Sequence, residues 1–360
     1  MYKTTDRYAP EAWAQAFDEI VDVRSPSEFA EDHIPGAVNL PVLSDAERAE
    51  VGTIYVQESK FQARRLGAAL IAGNIGQHLR HPLKDRPGGY RPLVYCWRGG
   101  LRSASMASVL AQIGWRTTVL QGGYATYRKQ VVAALYGEPL PYRLVLLAGH
   151  TGVGKTEMLQ RLTARGVQTL DLEDLARHRG SLFGGLAGEP QPSQKLFESR
   201  LWAALHRLDA ARPVVVEAES SKIGERALPP ALWSLMQAAP QIELEAPDQA
   251  RAAYLATTYD DTTADAETLY GLIDRLPVHL GRAQREAWRA LVAAGNKQDL
   301  ALALIREHYD PAYVRTLRRD PDRRRLATVS MPALDAEAQD QAADQIAAVI
   351  ATYASALAAA

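Results

Sequence analysis

A single cysteine lies in the segment Cys96-Trp97-Arg98-Gly99-Gly100-Leu101-Arg102-Ser103, between an apolar run and an amphipathic stretch. This order predicts a loop that connects a strand to the N-terminus of a helix. The two glycines allow backbone N–H groups to converge on an anion, and the helix end adds partial positive charge. With Arg98 and Arg102, this environment favours a reactive thiolate over the small buried apolar role that a lone cysteine more commonly has. We therefore expect Cys96, Arg98 and Arg102 to be catalytic. The backbone of the cradle is expected to come from Trp97, Gly99, Gly100 and Leu101.

A second anion-binding motif, Gly149-His150-Thr151-Gly152-Val153-Gly154-Lys155-Thr156, fits the P-loop pattern G-x-x-x-x-G-K-[ST]. The apolar run before it and the amphipathic stretch after it supply the strand–loop–helix context that this motif requires. In such a loop, N–H groups surround phosphates, Lys155 neutralises their charge and Thr156 is suited to Mg²⁺. Because no obvious motif for recognising the base of ATP or GTP follows, the loop is a candidate for a diphosphate that belongs to something other than a nucleotide, with ATP as the alternative.

Two further segments are candidates for the phosphate site. Val214-Val215-Val216-Glu217 places a carboxylate at a strand end, where Glu217 either supports Mg²⁺ or a water, or is only a strand-end carboxylate. The segment Asp171 to Gly184 follows another strand and contains Arg177, His178 and Arg179. Its charges and glycines predict a mobile substrate loop, with a solvated surface loop as the alternative.

Basic residues cluster in two places. One set follows Tyr309 and Tyr313 and comprises Arg315, Arg318, Arg319, Arg323, Arg324 and Arg325. The other set precedes the Cys96 strand and comprises Arg80, Lys84, Arg86 and Arg91. Arginine pairs with phosphate and tyrosine stacks on unpaired bases, so both sets are candidates for RNA contact, with solvated charged faces as the alternative.

The elements that must position these motifs alternate in the manner of an α/β protein. The predicted strands are Ile20 to Val23, Gly36 to Leu40, Pro92 to Tyr95, Thr117 to Leu120, Arg143 to Ala148, Val167 to Leu170, Pro213 to Val216 and Ile242 to Glu245. The predicted helices are Asp45 to Arg80, Arg102 to Gly114 and Lys155 to Arg165, and the chain beyond Asp248 is predicted to be wholly helical. Gly137, Pro139 and Pro141 mark a linker that divides a domain at 1–138 from one at 139–360.

Composition limits the classes of function. The chain has 360 residues, of which 47% are hydrophobic and 23% charged, as expected for two globular domains. Its formal net charge is −1, so a nucleic-acid site must be a local basic surface. One cysteine excludes an internal disulfide and fits a reducing compartment. The N-terminal residues lack the pattern of a signal peptide and no apolar run is long enough to span a membrane, so we expect a cytoplasmic protein.

The Cys96 segment resembles the active loop of rhodanese-like sulfurtransferases. Val21 to Phe29 and His33 to Pro41 look like a second rhodanese motif, in which Asp22, Arg24 and Gly36 are expected to be structural. The spacing of Cys96 and Arg102 is one residue longer than in the usual sulfurtransferase loop and is similar to that of phosphatases of the same fold. A wider loop suits a larger anion, such as phosphate or selenophosphate.

The rhodanese-like motif followed by a P-loop, together with Asp171 to Ser181, resembles the tRNA 2-selenouridine synthases over nearly the whole chain. The resemblance implies an α/β protein: an N-terminal rhodanese-like domain with a parallel sheet, then a C-terminal P-loop NTPase-like domain with a helical, partly basic end. It also implies a transferase that converts wobble 2-thiouridine in tRNA into 2-selenouridine. In that family, a geranyl group from geranyl diphosphate is placed on the sulfur, and selenium from selenophosphate then replaces the geranylated sulfur.

The same resemblance implies the roles of individual residues. Cys96 carries selenium, Arg98 and Arg102 bind the phosphate of selenophosphate, and the P-loop with Lys155 holds the diphosphate of geranyl diphosphate. The anticodon region of tRNA is an implied partner, and an enzyme that supplies selenophosphate is another. Mg²⁺ is compatible with this scheme, and ATP is not required by it, although ATP fits the P-loop equally well.

Three other functions remain open from the sequence. An ATP-dependent rhodanese-type sulfurtransferase would use the P-loop to activate its substrate and Cys96 to carry sulfur. A regulatory module would combine a phosphate-sensing domain with a nucleotide switch, although an intact Cys96 and Lys155 argue against it. The length of the Cys96 loop also leaves a phosphatase open.

Overall fold

The computed structural model describes residues 1–5, 17–137, 139–179, 190–258, 266–276, 281–317 and 323–359. The chain forms two compact units. The first comprises Met1–Glu138 with Pro192–His206, and the second comprises Pro139–Gln191 with Arg207–Ala360. The segment Pro192–His206 therefore packs with the first unit, although it follows the linker in sequence.

Strands and helices alternate along both units. The strands are β1 (Lys3–Thr5), β2 (Glu19–Asp22), β3 (Val38–Asn39), β4 (Pro92–Tyr95), β5 (Thr118–Leu120), β6 (Arg143–Gly149), β7 (Gln168–Leu170), β8 (Pro213–Glu217), β9 (Lys222–Ile223), β10 (Arg226–Ala227), β11 (Gln241–Glu245) and β12 (Arg325–Ser330). The helices are α1 (Pro26–Glu31), α2 (Asp45–Gln57), α3 (Lys60–Arg80), α4 (Leu101–Ile113), α5 (Gly123–Tyr136), α6 (Lys155–Ala164), α7 (Leu172–Ala176), α8 (Gln194–Leu205), α9 (Pro230–Ala238), α10 (Asp248–Thr258), α11 (Ala266–Arg275), α12 (Arg282–Ala293), α13 (Lys297–Leu304), a π-helix (Ile305–Tyr309), α14 (Asp310–Leu317) and α15 (Ala336–Ala358). None of the helices in the described residues is both long enough and apolar enough to cross a membrane.

The first unit is built on a five-stranded parallel sheet in the order β1-β5-β4-β2-β3. All four residues of β4 are buried. A strand that is covered on both faces has apolar residues at successive positions, as the sequence of β4 does. Helix α8 joins this unit by packing against α5, where Arg128 pairs with the buried Glu198. Strand β4 ends directly before Cys96, so the sheet fixes the start of the active loop.

The stretch predicted as one helix from Asp45 to Arg80 is two helices, α2 and α3. The chain turns at Glu58 and Ser59, and the Ser59 side chain accepts a hydrogen bond from the N–H of Gln62. Serine at this position caps the N-terminus of α3 and favours a break in an otherwise helical pattern. The helices then pack side by side, and only α3 contributes fully buried residues to the core.

Asp22 and Arg24 have the structural role expected of them. Both side chains are 0% exposed, and Arg24 Nη2 lies 2.6 Å from Asp22 Oδ2. The same nitrogen donates to the carbonyl oxygen of Asp32 at 2.6 Å, and the guanidinium lies 4.1 Å from the centroid of the Tyr124 ring. A buried ion pair with further hydrogen bonds of this kind fixes the end of β2 beside the Cys96 loop.

The second unit contains a five-stranded parallel sheet in the order β12-β11-β6-β8-β7. Strand β6 is central, and the P-loop follows its carboxyl end. Strands β8 and β7 lie on one side of β6, and they deliver Glu217 and the segment that begins at Asp171. Because the carboxyl ends of parallel strands meet at one edge of the sheet, all three segments converge there.

The prediction that the chain beyond Asp248 is wholly helical is wrong at β12. Arg325–Ser330 forms an edge strand that pairs in parallel with β11. Its sequence lies among Ala- and Leu-rich helical segments, and only Val329 on it is fully buried. A short edge strand of this kind is stabilised by its pairing with β11, a tertiary contact that local composition does not show.

Candidate active site

Cys96 lies where β4 ends and the chain turns into α4. Its Sγ accepts a hydrogen bond from the Gly100 N–H at 3.2 Å and lies 3.2 Å from Ser103 Oγ. Gly100 is the N-cap of α4, so this helix directs the positive end of its dipole at the sulfur. The loop therefore places donors and a helix dipole around Cys96, which is only 3% exposed at the floor of a cavity.

A second glycine pair, Gly122-Gly123, supports the Cys96 loop. The N–H of Tyr124 donates to the Cys96 carbonyl oxygen at 2.8 Å. Gly123 has a φ of 57°, and a Cβ added there would lie 2.1 Å from that same oxygen. Only glycine fits this position without displacing the loop. Sequence reasoning did not single out this pair, although two consecutive glycines directly after a strand were a usable signal.

The arginines near Cys96 differ in their surroundings. Arg98 is exposed and lines the cavity, whereas Arg102 Nη1 lies 2.7 Å from Glu28 Oε2. Arg48 of α2, which sequence reasoning missed, lies 3.1 Å from the same Glu28 oxygen. Burial raises the pKa of Glu28, but the hydrogen bond and charge of Arg102 outweigh it, and the pKa lies below its ordinary value. Glu28 is thus an anionic group between two cations, in a cavity of about 710 Å³.

The P-loop has the backbone geometry that its glycines predict. Gly152 and Gly154 both have a φ of 81°, in the left-handed region that favours glycine. Lys155 Nζ donates to the carbonyl oxygen of Gly149 at 3.2 Å, which holds the ammonium against the loop. Helix α6 begins at Lys155, so the loop N–H groups and the helix dipole face the same region. This geometry suits phosphate oxygens.

Two carboxyl groups converge on the P-loop hydroxyl. Thr156 Oγ1 lies 3.0 Å from Glu217 Oε1 and 3.2 Å from Glu173 Oε2. Glu217 is 0% exposed, and its Oε2 is buried without a hydrogen-bond partner. Burial and repulsion by neighbouring carboxylates raise the pKa values of both Glu173 and Glu217. The sequence pointed to Glu217 but not to Glu173, which α7 places opposite it.

A wall of apolar and aromatic side chains faces the P-loop across a cavity of about 470 Å³. Its members are Tyr254, Leu255, Tyr309 and Tyr313. The sequence placed the last two tyrosines in a candidate RNA-binding segment, and in the structure they line this cavity.

The wall is tied to the P-loop by a charged cluster. Asp310 Oδ1 lies 2.9 Å from His150 Nδ1, and Asp310 Oδ2 lies 2.7 Å from Arg251 Nη2. Burial raises the pKa of Asp310, but its bonds to His150 and Arg251 dominate and lower it to about 2. Arg251 also donates to the carbonyl oxygen of Thr151 at 3.1 Å. Helices α10 and α14 are therefore joined to each other and to the phosphate loop.

The predicted substrate loop is only partly at the site. Arg179 lines the P-loop cavity, whereas Arg177 ends α7 with a φ of 51°. His178 is half-buried against Gly224, where burial lowers its pKa. This contact resembles packing rather than substrate binding. The continuation from Gly180 to Gly184 lies outside the described residues.

The predicted basic surfaces are partly neutralised. Arg86 pairs with Glu19 at 2.5 Å, and Arg91 pairs with Asp18 at 2.7 Å. In the other set, Arg323 donates to the carbonyl oxygen of Met236 at 3.0 Å, which fixes the side chain but leaves its charge in place. Arg318 and Arg319 lie outside the described residues. The two ion pairs therefore reduce the positive charge that the first set offers to RNA.

Family models match both units. Residues 8–130 match the Rhodanese-like domain, and residues 142–272 match the tRNA 2-selenouridine synthase AAA domain. The two matches contain Cys96 and the P-loop respectively. The fold class expected from the sequence, a rhodanese-like domain followed by a P-loop α/β domain, is confirmed.

Three curated relatives carry the name tRNA 2-selenouridine synthase. The protein of Shewanella halifaxensis is 33% identical over 84% of this chain and 90% of its own length. That of Hahella chejuensis is 34% identical over 84% of this chain and 86% of its own length. That of Shewanella denitrificans is 38% identical, and the match spans 67% of this chain and 65% of that protein. Since both domain types and nearly full-length relatives agree, the chain belongs to the tRNA 2-selenouridine synthase family.

Proposed function

We propose that this protein is a transferase that replaces the sulfur of wobble 2-thiouridine in tRNA with selenium, by way of a geranylated intermediate. The observation that carries the proposal is that one chain of this family has two cavities with differently composed linings, each suited to an anion. One contains Cys96 with the Gly100 N–H and arginine side chains around it, and the other contains the P-loop beside a largely aromatic wall. A cysteine site suits chalcogen chemistry, and a phosphate cradle suits a diphosphate leaving group.

In the first step, the P-loop binds the diphosphate of geranyl diphosphate. The thiouridine sulfur forms a bond to C1 of the geranyl group, the C1–O bond breaks, and its electron pair leaves with diphosphate. The proton on N3 of the base passes to water. Lys155 and the loop N–H groups stabilise the charge that develops on the diphosphate. Alkylation makes the sulfur a better leaving group for the second step.

Mg²⁺ fits the donor set at this site. Thr156 and Glu217 offer hard oxygen ligands, and Glu217 Oε2 is buried without a partner in the described structure. A bound Mg²⁺ would neutralise diphosphate charge. The protein residues would then hold the diphosphate through Lys155 and the loop.

In the second step, the Cys96 cavity binds selenophosphate. Arg98, Arg102 and Arg48 surround the region where its phosphate group would lie, and the phosphate would replace Glu28 as the partner of the last two. The selenium of selenophosphate then forms a bond to C2, the C2–S bond breaks and geranyl thiol leaves, while water cleaves the P–Se bond and phosphate is the second product. In this redox-neutral form of the step, Cys96 and its loop hold selenophosphate beside C2.

A role for Cys96 as a selenium carrier requires an oxidation step. A thiolate and the selenium of selenophosphate are both fully reduced, so a perselenide on Cys96 requires that an electron pair leave, with phosphorus or to an added oxidant. Transfer of that selenium to C2 then requires a reductant, such as a thiol, to break the S–Se bond. Direct delivery of selenium to C2, with phosphate as the product, requires no oxidation. Mass spectrometry of the Cys96 peptide after incubation with selenophosphate separates these routes. A selenium adduct supports the carrier role, and turnover without one makes Cys96 a positioning residue.

An ATP-dependent sulfurtransferase is the second candidate. The observation in its favour is the placement of Glu217 at the end of β8 beside Thr156, which is how nucleotide-hydrolysing P-loop proteins place an acid. ATP hydrolysis that is stimulated by thiouridine-containing RNA would support this candidate. Geranyl transfer in the absence of ATP would exclude it.

A further inference from the structure

The wall of Tyr254, Leu255, Tyr309 and Tyr313 lines the P-loop cavity but has no role in the phosphate binding proposed above. We propose that this wall binds the hydrocarbon chain of an allylic diphosphate and sets which chain length the P-loop site accepts. The inference rests on the proposed function, because it takes the diphosphate to be that of a prenyl donor. It adds the subsite that recognises the apolar part of that donor.

The hydroxyl groups of two of the wall's tyrosines, Tyr254 and Tyr313, are bound by carboxylates. The Tyr313 hydroxyl donates to Glu243 Oε1 at 2.7 Å, and the Tyr254 hydroxyl donates to Glu157. The Tyr313 ring packs against His150, with 4.4 Å between ring centroids. Because these two hydroxyls already have carboxylate partners, the rings of Tyr254 and Tyr313 and the side chain of Leu255 offer carbon surface to a ligand in the cavity.

The wall lies in direct contact with the phosphate cradle. A Cβ added at Gly152 would lie 2.8 Å from Leu255 Cγ, so α10 packs directly on the P-loop. Asp310, between Tyr309 and Tyr313 in sequence, pairs with Arg251 of the helix that carries Tyr254. This ion pair joins the two wall-bearing segments. A ligand that placed its diphosphate in the loop would extend its chain along the wall.

The chemistry of an allylic diphosphate fits this arrangement. As the C1–O bond breaks, positive charge spreads over C1 and C3 of the allylic group. Aromatic rings attract a cation at their faces, and the effect grows where water is excluded. A cavity of about 470 Å³ is within the ordinary range for a small-molecule site. The wall therefore suits both the resting chain and the charge that develops during transfer.

A nucleobase fits the same wall less well. Base recognition in a pocket requires hydrogen-bonding groups directed at the base edge. Among three of the four wall residues, Leu255 has no such group, and the hydroxyls of Tyr254 and Tyr313 already donate to Glu157 and Glu243. Stacking alone would bind a base without selecting it.

The test measures equilibrium binding of four probes to the full chain: inorganic diphosphate, dimethylallyl diphosphate, geranyl diphosphate and ATP. In the wild type, we expect affinity to rise on the order of ten-fold for each isoprene unit. Tyr254→Ala and Tyr313→Ala should each lower the affinity for geranyl diphosphate by about ten-fold and leave the affinity for inorganic diphosphate unchanged. Tyr254→Phe and Tyr313→Phe should retain geranyl affinity, because they keep the ring. Tyr55→Ala, at an exposed tyrosine of the first unit, is the matched control.

Inorganic diphosphate reports whether each variant still has a formed P-loop. The proposal is overturned if the wild type binds the three diphosphates equally, or if the alanine variants weaken inorganic and geranyl diphosphate to the same degree. It is also overturned if the wild type binds ATP and the Tyr254→Ala substitution lowers the affinity for ATP as much as it lowers the affinity for geranyl diphosphate. Geranylation of a thiouridine RNA is measured separately. If the wild type geranylates the RNA but its affinity for diphosphates does not depend on chain length, the proposed role of the wall is wrong while the proposed function stands. If the wild type shows that dependence but does not geranylate RNA, the proposed function fails.

Discussion

At the scale of single residues, the two candidate sites contain acidic groups whose partners define their roles. Glu28 lies between Arg48 and Arg102 beside Cys96, whereas Glu217 lies beside Thr156 with one oxygen unpaired. The first carboxylate occupies a position suited to an incoming anion. The second is held in an environment that disfavours its charge.

In the proposed selenophosphate site, Arg48 contacts the phosphate group, a role that the sequence did not suggest. Arg48→Ala should raise the KM for selenophosphate by roughly ten-fold, because one cation near the phosphate position is lost. Geranylation should not change. Arg65→Ala, at an exposed arginine of the adjacent helix α3, is the control. If both substitutions raise KM alike, general surface charge rather than a specific contact is responsible.

The carboxyl pair at the P-loop predicts how stability depends on pH. Since the folded pKa of Glu217 lies above its ordinary value of 4.5, the folded state keeps a proton that the unfolded state has lost. Stability should therefore fall as pH rises above 4.5 towards the folded pKa. Glu217→Gln should reduce this loss by roughly 1–3 kcal/mol.

Urea unfolding in metal-free buffer at pH 5 and pH 8 checks this prediction. Glu225→Gln is the control, because the Glu225 side chain is 85% exposed. An equal pH dependence in the wild type and in Glu217→Gln would show that Glu217 is ionised in the folded protein.

At the scale of elements, the loop around Cys96 depends on a contact between two glycine-containing turns. Gly123→Ala places a methyl group against the Cys96 carbonyl oxygen, at a left-handed φ. The left-handed φ alone costs about 1–2 kcal/mol, and the close contact adds to it. We expect a lower thermal midpoint and a changed rate of Cys96 alkylation. Gly88→Ala, where an added Cβ meets nothing within 4 Å, should do neither. A Gly123→Ala variant that matched it in both measurements would contradict this account of the loop.

Sequence patterns predicted the elements whose formation depends on residues close together in the chain. Strand β4 and the P-loop were predicted from an apolar run and from glycine spacing, since both signals lie within a few residues. The sequence did not assign Arg48, Glu173 or the wall that contains Tyr254 to the two sites, because folding brings them there from distant segments of the chain. Strand β12 was missed for the same reason, since its pairing with β11 outweighs its helical surroundings.

At the scale of the whole molecule, the account assigns one chemical step to each unit. The net charge of −1 gives no general attraction to RNA, so both steps depend on local contacts. This division predicts that the steps can be separated by substitution. Cys96→Ser should abolish selenation and keep geranylation, and Lys155→Ala should impair geranylation.

The two variants should complement each other through their product. Geranylated RNA made by Cys96→Ser and then purified should be selenated by Lys155→Ala, because the second variant retains the Cys96 loop. Untreated thiouridine RNA given to Lys155→Ala serves as the control. Failure of Lys155→Ala to selenate the purified intermediate would mean that the P-loop is also needed in the second step.

The most direct test of the central claim is mass spectrometry of nucleosides from a 2-thiouridine-containing anticodon RNA. The RNA is incubated with the protein and geranyl diphosphate, and selenophosphate is then added. The account predicts a geranylated nucleoside first, followed by a nucleoside in which selenium replaces sulfur. An unmodified thiouridine after both additions would contradict the account, and ATP-dependent turnover of the same RNA would assign the P-loop to a nucleotide.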